Sequence, residues 1–270
     1  MAGSTTARRG RDRRPAPPGP PPPARRRRLR LPRPGRPRVI ALILVLAALT
    51  GGFGTWALYG SGWLRVENVS VRWQDGPREL TRDQILDAAG VRVGSPMASL
   101  DKDAVRDRLL DGLPRLASVD VVRAWPHGVS LKVTEREAEV LMPDGDRFTE
   151  VDGEGVAFGE RAEADPDLPL LELDLADSAS ARRYGEDRVR RAAVSVVLAL
   201  PGEVRRETRT VLATSYDAIS LELADGTTVF WGSPERSRAK ADALLAVRAA
   251  APDATRFDVS APTVPASSGG

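Results

Sequence analysis

Residues 119–137 read VDVVRAWPHGVSLKVTERE. Val129, Leu131 and Val133 alternate with Ser130, Lys132 and Thr134, the two-residue period of a strand buried on one face. Val119, Val121 and Trp125 stand at compatible spacing upstream. Between the two runs, Pro126 fixes one backbone angle and Gly128 can supply the positive φ of a short hairpin loop. The stretch therefore predicts two antiparallel strands joined over Pro126-His127-Gly128. His127 is the one histidine of a chain without cysteine, and this reading leaves it facing solvent at the loop tip, a turn residue and not a catalytic one.

The segments before the hairpin complete a unit. VENVSVRW puts Val69, Val71 and Trp73 on one face of a short strand. Thr81 and Gln84 have capping-box spacing, Ile85, Leu86 and Ala89 give the helix an apolar face, and Gly90 stops it. A second helix is predicted from Asp101, with Val105, Leu109, Leu110 and Leu113 at helical spacing and Pro114 closing it. Residues 65–136 thus read strand, helix, helix, strand, strand, with the helices on one side of a three-stranded sheet.

Residues 137–262 are predicted to be mostly strands with two helices. Glu139–Met142 and Arg147–Val151 flank the turn Pro143-Asp144-Gly145, and Ile219–Leu223 faces Thr227–Trp231 across Ala224-Asp225-Gly226. Val189, Ala192, Ala193, Val196, Val197 and Leu200 mark one amphipathic helix. A later helix is expected with Ser233 as cap, Pro234 at its first position, and Ala241, Leu244 and Leu245 facing inward. Thr255–Ser260 returns as a strand, and residues 263–270 read as a disordered end.

Charge is divided along the chain. Residues 1–38 hold 13 Arg and one Asp, near +12, whereas the other 27 basic and 36 acidic residues leave the rest near −9. A nucleic-acid-binding domain is therefore not implied by the net charge of +3. The tail, with its run PAPPGPPPPARRRR, has too few apolar groups to fold. Val39–Leu64 contains no charged residue, and its 26 residues would extend about 39 Å as a helix, enough to cross a hydrocarbon core of about 30 Å. Trp56, Tyr59 and Trp63 fall where an aromatic belt is expected. A cleaved signal peptide is the alternative, but its apolar core is shorter, about 7 to 15 residues, and its basic region is short. A retained anchor with the arginines before it predicts a cytoplasmic N-terminus and an extracytoplasmic bulk.

Catalytic signatures are missing from the sequence: there is no G-x-S-x-G, no Walker loop and no second histidine. The acids of DGDRFTEVDGEG do not follow EF-hand spacing, and two hairpin turns account for its glycines. Lys240 is expected on a solvated or partner-facing side of its helix. RRYGEDRVRR reads as a solvated helix face, with a docking patch for an acidic partner as the alternative.

Four stretches carry a resemblance: WLRVENVSV at 63–71, LPRLASVDVVRAWPHGVSLKVTERE at 113–137, VDGEGVAF at 151–158 and RFDVS at 256–260. Behind a single membrane span, this order resembles the bacterial cell-division family FtsQ/DivIB, of actinobacterial type, over about residues 60–262. Pro126 and Glu135-Arg136 fit the family pattern, and the position of His127 is free to vary in it. The resemblance implies an α+β fold: a single transmembrane helix (39–64 with its exit), a POTRA domain of order β-α-α-β-β (65–136), and a larger, mostly antiparallel β domain with flanking helices (137–262).

The same resemblance implies a non-catalytic divisome scaffold. It would be a single-pass type II protein at the septum, bridging division proteins on the two sides of the membrane by binding FtsB and, through it, FtsL. The partner-binding residues carried over are Thr255, Arg256, Phe257, Asp258, Val259, Ser260, Ala261 and Pro262, on an edge strand open to FtsB. An aromatic common just after this strand in the family is Ala261 here. No cofactor, metal, nucleic acid or small-molecule substrate is expected. The alternative is a membrane-anchored envelope enzyme acting on wall polymer, whose signature would be two carboxylates at defined separation.

Overall fold

The computed structural model describes residues 36–56, 64–176, 182 and 185–269. Residues 1–35 of the basic tail, Tyr59 and Trp63 lie outside the described residues, as does most of the segment 177–184. The chain divides into two units, residues 1–52 and 53–270. Helix α1 (Arg36–Thr55) has 20 residues and buries none of them. It is long and apolar enough to cross a membrane, spanning about 30 Å at 1.5 Å per residue. It takes in Arg36, Pro37 and Arg38 ahead of the uncharged run and ends at Thr55.

The N-terminal lobe follows the expected order: β1 (Asn68–Trp73), α2 (Arg82–Ala89), a 3-10 turn at Met97–Ser99, α3 (Lys102–Gly112), β2 (Leu116–Ala124) and β3 (Gly128–Glu135). Local chemistry sets the helix ends. Thr81 and Gln84 form the reciprocal capping box of α2, and Gly90 closes it at φ 58°. The Asp101 carboxylate accepts from the N–H groups of Asp103 and Ala104 to start α3. Strand β3 is central, parallel to β1 with Val71 beside Leu131, and antiparallel to β2 with Val121 beside Leu131. Ile85, Met97, Leu109, Val121 and Leu131 belong to one buried cluster, each worth about 1.5–3 kcal/mol by removal from water.

The hairpin tip departs from its sequence reading in three ways. Gly128 is not among the positive-φ glycines. It begins β3, and a Cβ there would stand 3.0 Å from the Ala124 carbonyl and 3.1 Å from Asn68 Oδ1; glycine eases a tight approach here and does not serve a turn angle. His127 is half-buried, and its carbonyl accepts from the N–H groups of Glu67 (2.8 Å) and Asn68 (3.3 Å). Trp125 is exposed, because it stands past the end of β2.

The C-terminal lobe holds β4 (Ala138–Asp144), β5 (Arg147–Asp152), β6 (Ala157–Arg161), β7 (Leu170–Leu173), α4 (Glu186–Ala199), α5 (Gly202–Glu207), β8 (Thr208–Ser215), β9 (Ala218–Leu223), β10 (Thr228–Gly232), α6 (Ser237–Ala250), β11 (Arg256–Asp258) and β12 (Ala266–Ser268). They make a nine-stranded sheet in the order β12-β11-β10-β9-β8-β7-β4-β5-β6. The β4–β7, β7–β8 and β10–β11 pairs are parallel and the others antiparallel. Val189, Ala193, Val196 and Val197 of α4 pack with Val211, Leu221, Trp231 and Leu244 in one core.

Three expectations for this lobe are corrected. Helix α6 begins at Ser237, after Arg236 at φ 57°, and Ser233-Pro234 lie in the turn before it. Leu245 is exposed while Ala241 and Leu244 are buried. Residues 266–268 are a strand, where a disordered end is expected from composition: backbone pairing to β11, not side-chain burial, orders them.

Candidate functional site

The eight residues singled out from sequence lie at the β10–β11–β12 end of the sheet. Strand β11 runs parallel to β10, with Arg256 beside Thr228 and Asp258 beside Phe230. The buried side chains of Phe257 and Val259 belong to the core, whereas Arg256, Asp258 and Ser260 are exposed. Phe257 and Val259 are therefore anchors of the strand and not side-chain contacts for a partner. Thr255 is exposed, its N–H donating to the Gly269 carbonyl at 3.0 Å and its carbonyl accepting from Thr228 at 2.9 Å. Ala261 is exposed and Pro262 half-buried in the loop that follows.

Strand β11 is not the edge. On its far side β12 pairs antiparallel, with Ser268 beside Arg256, Ser267 beside Phe257 and Ala266 beside Asp258. The Val259 N–H donates to the Phe230 carbonyl at 3.0 Å and the Ser260 N–H to Asp258 Oδ1 at 2.9 Å. Neither points to an open edge. The free edge of this end is β12, and the signal for it was weak because Ala-Ser-Ser has low strand propensity. A hollow of about 270 Å³ lies against it, lined by Thr228, Phe230, Arg256, Asp258, Ala266 and Ser268.

Lys240 corrects another expectation. It is buried, and its ammonium donates to the carbonyls of Trp231 (3.0 Å) and Ser233 (2.7 Å), where β10 turns into α6. Burial lowers its pKa below that of free lysine, while the nearby Glu235 carboxylate opposes the shift. It braces the corner beside β11 and offers no exposed amine.

Sequence reasoning missed the joint between the lobes. Glu135, buried, accepts from Trp73 Nε1 (2.9 Å) and the N–H groups of Glu79 (2.8 Å) and Leu80 (3.2 Å). The next residue reaches across: Arg136 pairs with Asp152 of β5, and its Nε donates to the Pro114 carbonyl at 3.2 Å. Arg115 pairs with buried Glu150 of β5 and with Glu79 (2.7 Å), and lies over the Phe158 ring. Arg161 takes the other Glu150 oxygen at 3.2 Å. Asp152 Oδ1 also accepts from the N–H groups of Glu154 and Val156, which builds the β5–β6 turn. Both buried carboxylates of β5 are thus committed to arginines. Among the described residues no group of three or more His, Asp or Glu is placed to hold a metal ion.

Residues 64–136, the N-terminal lobe, match the family described as POTRA domain, FtsQ-type. The cell division protein FtsQ of Streptomyces coelicolor is 49% identical over all of this chain and all of its own length. The chain belongs to the FtsQ family of cell-division proteins. FtsQ of Mycolicibacterium smegmatis is 33% identical over 83% of this chain and 62% of that one. Among solved structures, the extracytoplasmic domain of DivIB from Geobacillus stearothermophilus aligns at a TM-score of 0.31 and 16% identity, covering 44% of this chain and 95% of that one. Within an FtsQ-family chain, the joint residues Arg115, Arg136, Glu150 and Asp152 fix the POTRA domain to the lobe that carries the β10–β11–β12 end.

Proposed function

We propose that this FtsQ-family protein is a non-catalytic scaffold of the division machinery whose sheet end, built from residues 255–268, docks an extended segment of FtsB and through it FtsL. The observation that carries the reading is the exposed backbone at that end: the three-residue strand β12 terminates the sheet with every residue exposed. Such an edge is a template for an added strand, where main-chain hydrogen bonds supply affinity and side chains supply selectivity. Arg256 and Asp258 are the charged side chains there, exposed and able to form rim pairs that weaken with salt.

The apolar length of α1 supports a single membrane anchor, and the arginines before it support a type II orientation with the two lobes outside, at the septum. The domain limits proposed are a tail at 1–38, an anchor with its exit at 39–64, a POTRA domain at 65–136 and a β domain from 137. The test is affinity capture of the full chain, solubilised from membranes, with FtsB and FtsL detected in the eluate. Capture that survives both charge reversal at Arg256 and Asp258 and, in a separate variant, removal of residues 255–270 would place the docking surface elsewhere.

A further inference from the structure

Strand β12 holds to the sheet by its backbone alone. Ala266, Ser267 and Ser268 are all exposed, so no side chain anchors the strand in the core. No residue of the return loop is buried: Ala261, Thr263 and Val264 are exposed, Val264 at 76%, and Pro262 and Pro265 are half-buried. Beside the strand, the outward face carries two rows: Phe230, Asp258, Ala266 and Thr228, Arg256, Ser268. The small side chains of Ala266 and Ser268 leave the hollow of about 270 Å³ unfilled, and Phe230 at its wall stays 39% exposed. Arg256 and Asp258 bring one charge of each sign, which favours an occupant without strong net charge over one that is strongly acidic or basic.

We propose that β12 is a displaceable placeholder, and that the strand replacing it on β11 carries large apolar side chains where β12 carries Ala266 and Ser268. The incoming strand makes the same main-chain hydrogen bonds and adds apolar contact with Phe230 that β12 lacks. This difference is what lets an intermolecular strand compete with a tethered one: the tether gives β12 a high local concentration, and filling the hollow gives the partner the contact area. The closed edge also protects the free protein from pairing edge to edge with other chains. The inference rests on the docking reading above for the partner and the sheet end, and moves the added strand from the outer side of β12 onto β11.

Two measurements on the full chain in detergent test it. The first needs no partner. The Thr255 N–H bonds to Gly269 beyond β12, whereas the Val259 N–H bonds inward to Phe230. Opening of β12 alone exposes the first and not the second, so hydrogen exchange at Thr255 is expected to be at least about tenfold faster than at Val259. Equal protection of both would overturn the placeholder.

The second measures binding of a synthetic peptide covering the extracytoplasmic segment of FtsB. A chain ending at Pro265 is expected to bind about fivefold or more tightly than the full chain, because the competing strand is gone. The double variant Ala266→Leu and Ser268→Leu fills the hollow from within and is expected to bind more weakly by a similar factor. Circular dichroism and melting establish that each variant folds. If truncation weakens binding or leaves it unchanged, the peptide adds outside β12 and the placeholder is wrong while the docking edge stands. If no variant binds the peptide, both readings fail.

Discussion

Replacing Glu150 with Ala tests the joint between the lobes most directly. The carboxylate is 2% exposed and held by Arg115 and Arg161. Removing it leaves two partly buried guanidinium groups facing a void, and breaking a buried pair in this way costs about 3–5 kcal/mol. The lower end applies here, since Arg115 keeps Glu79 at 2.7 Å and Arg161 keeps Asp165 at 3.1 Å. About 3 kcal/mol corresponds to a melting point roughly 6–12 °C lower for folded regions of this size. Arg115→Ala is expected to cost at least as much, because Glu150 stays buried with Arg161 as its one remaining cation and the Phe158 ring loses its stacked guanidinium. The double variant removes both charges, so its cost falls short of the sum by about 1.5–3 kcal/mol. The assay is denaturant or thermal unfolding of the full chain in detergent, followed by near-ultraviolet circular dichroism of the tryptophans. A coupling below about 0.5 kcal/mol would refute the claim that the Arg115–Glu150 pair ties the lobes together.

Gly159→Ala attacks the same joint by volume: its Cβ would land on the Glu150 carboxylate and 2.6 Å from Arg115 Nη2, and a destabilisation of about 1–3 kcal/mol is expected in the same unfolding assay. Lys240→Met keeps the packed stem but strips the donor from the Trp231 and Ser233 carbonyls, a loss of about 1–3 kcal/mol by melting. His127→Asn is expected to change stability by less than about 0.5 kcal/mol and to leave division intact, because the short hydrogen bonds here come from the backbone carbonyl and the imidazole has only Glu67 Oε1, 3.5 Å from Nδ1; a folded but inactive variant would overturn that expectation. A reporter active only outside the cytoplasm is expected to work when fused after Gly270 and to fail when fused before Arg38, and the reverse pattern would invert the topology.

Local patterns were sufficient for the elements themselves. The capping box at Thr81 and Gln84, the helix start at Asp101 and the turns at Gly145 and Gly226 are all encoded within a few residues, and each forms where its sequence predicts; in β3 the expected Val129, Leu131 and Val133 are buried, but Ser130 of the opposite face is buried as well. The apolar run of α1 is equally local. The family too was legible, since its stretches are short and contiguous.

The tertiary structure decided the rest, because it joins residues that no spacing relates. Arg115 and Glu150 lie 35 positions apart and meet only when β5 is laid against the end of β2. Gly128 reads as a turn residue from its dipeptide, but the Ala124 carbonyl and Asn68, from a strand sixty residues earlier, are what crowd a side chain there. Lys240 reads as solvated from its helix, yet two carbonyls at the β10–α6 corner draw it inward. Arg256 to Asp258 look like a terminal edge until Ala266 to Ser268 fold back on them. Hydrophobic period and capping are properties of a segment and can be read from it; an edge, a buried charge or a close approach belongs to a pair of segments, and exists only once the chain has brought them together.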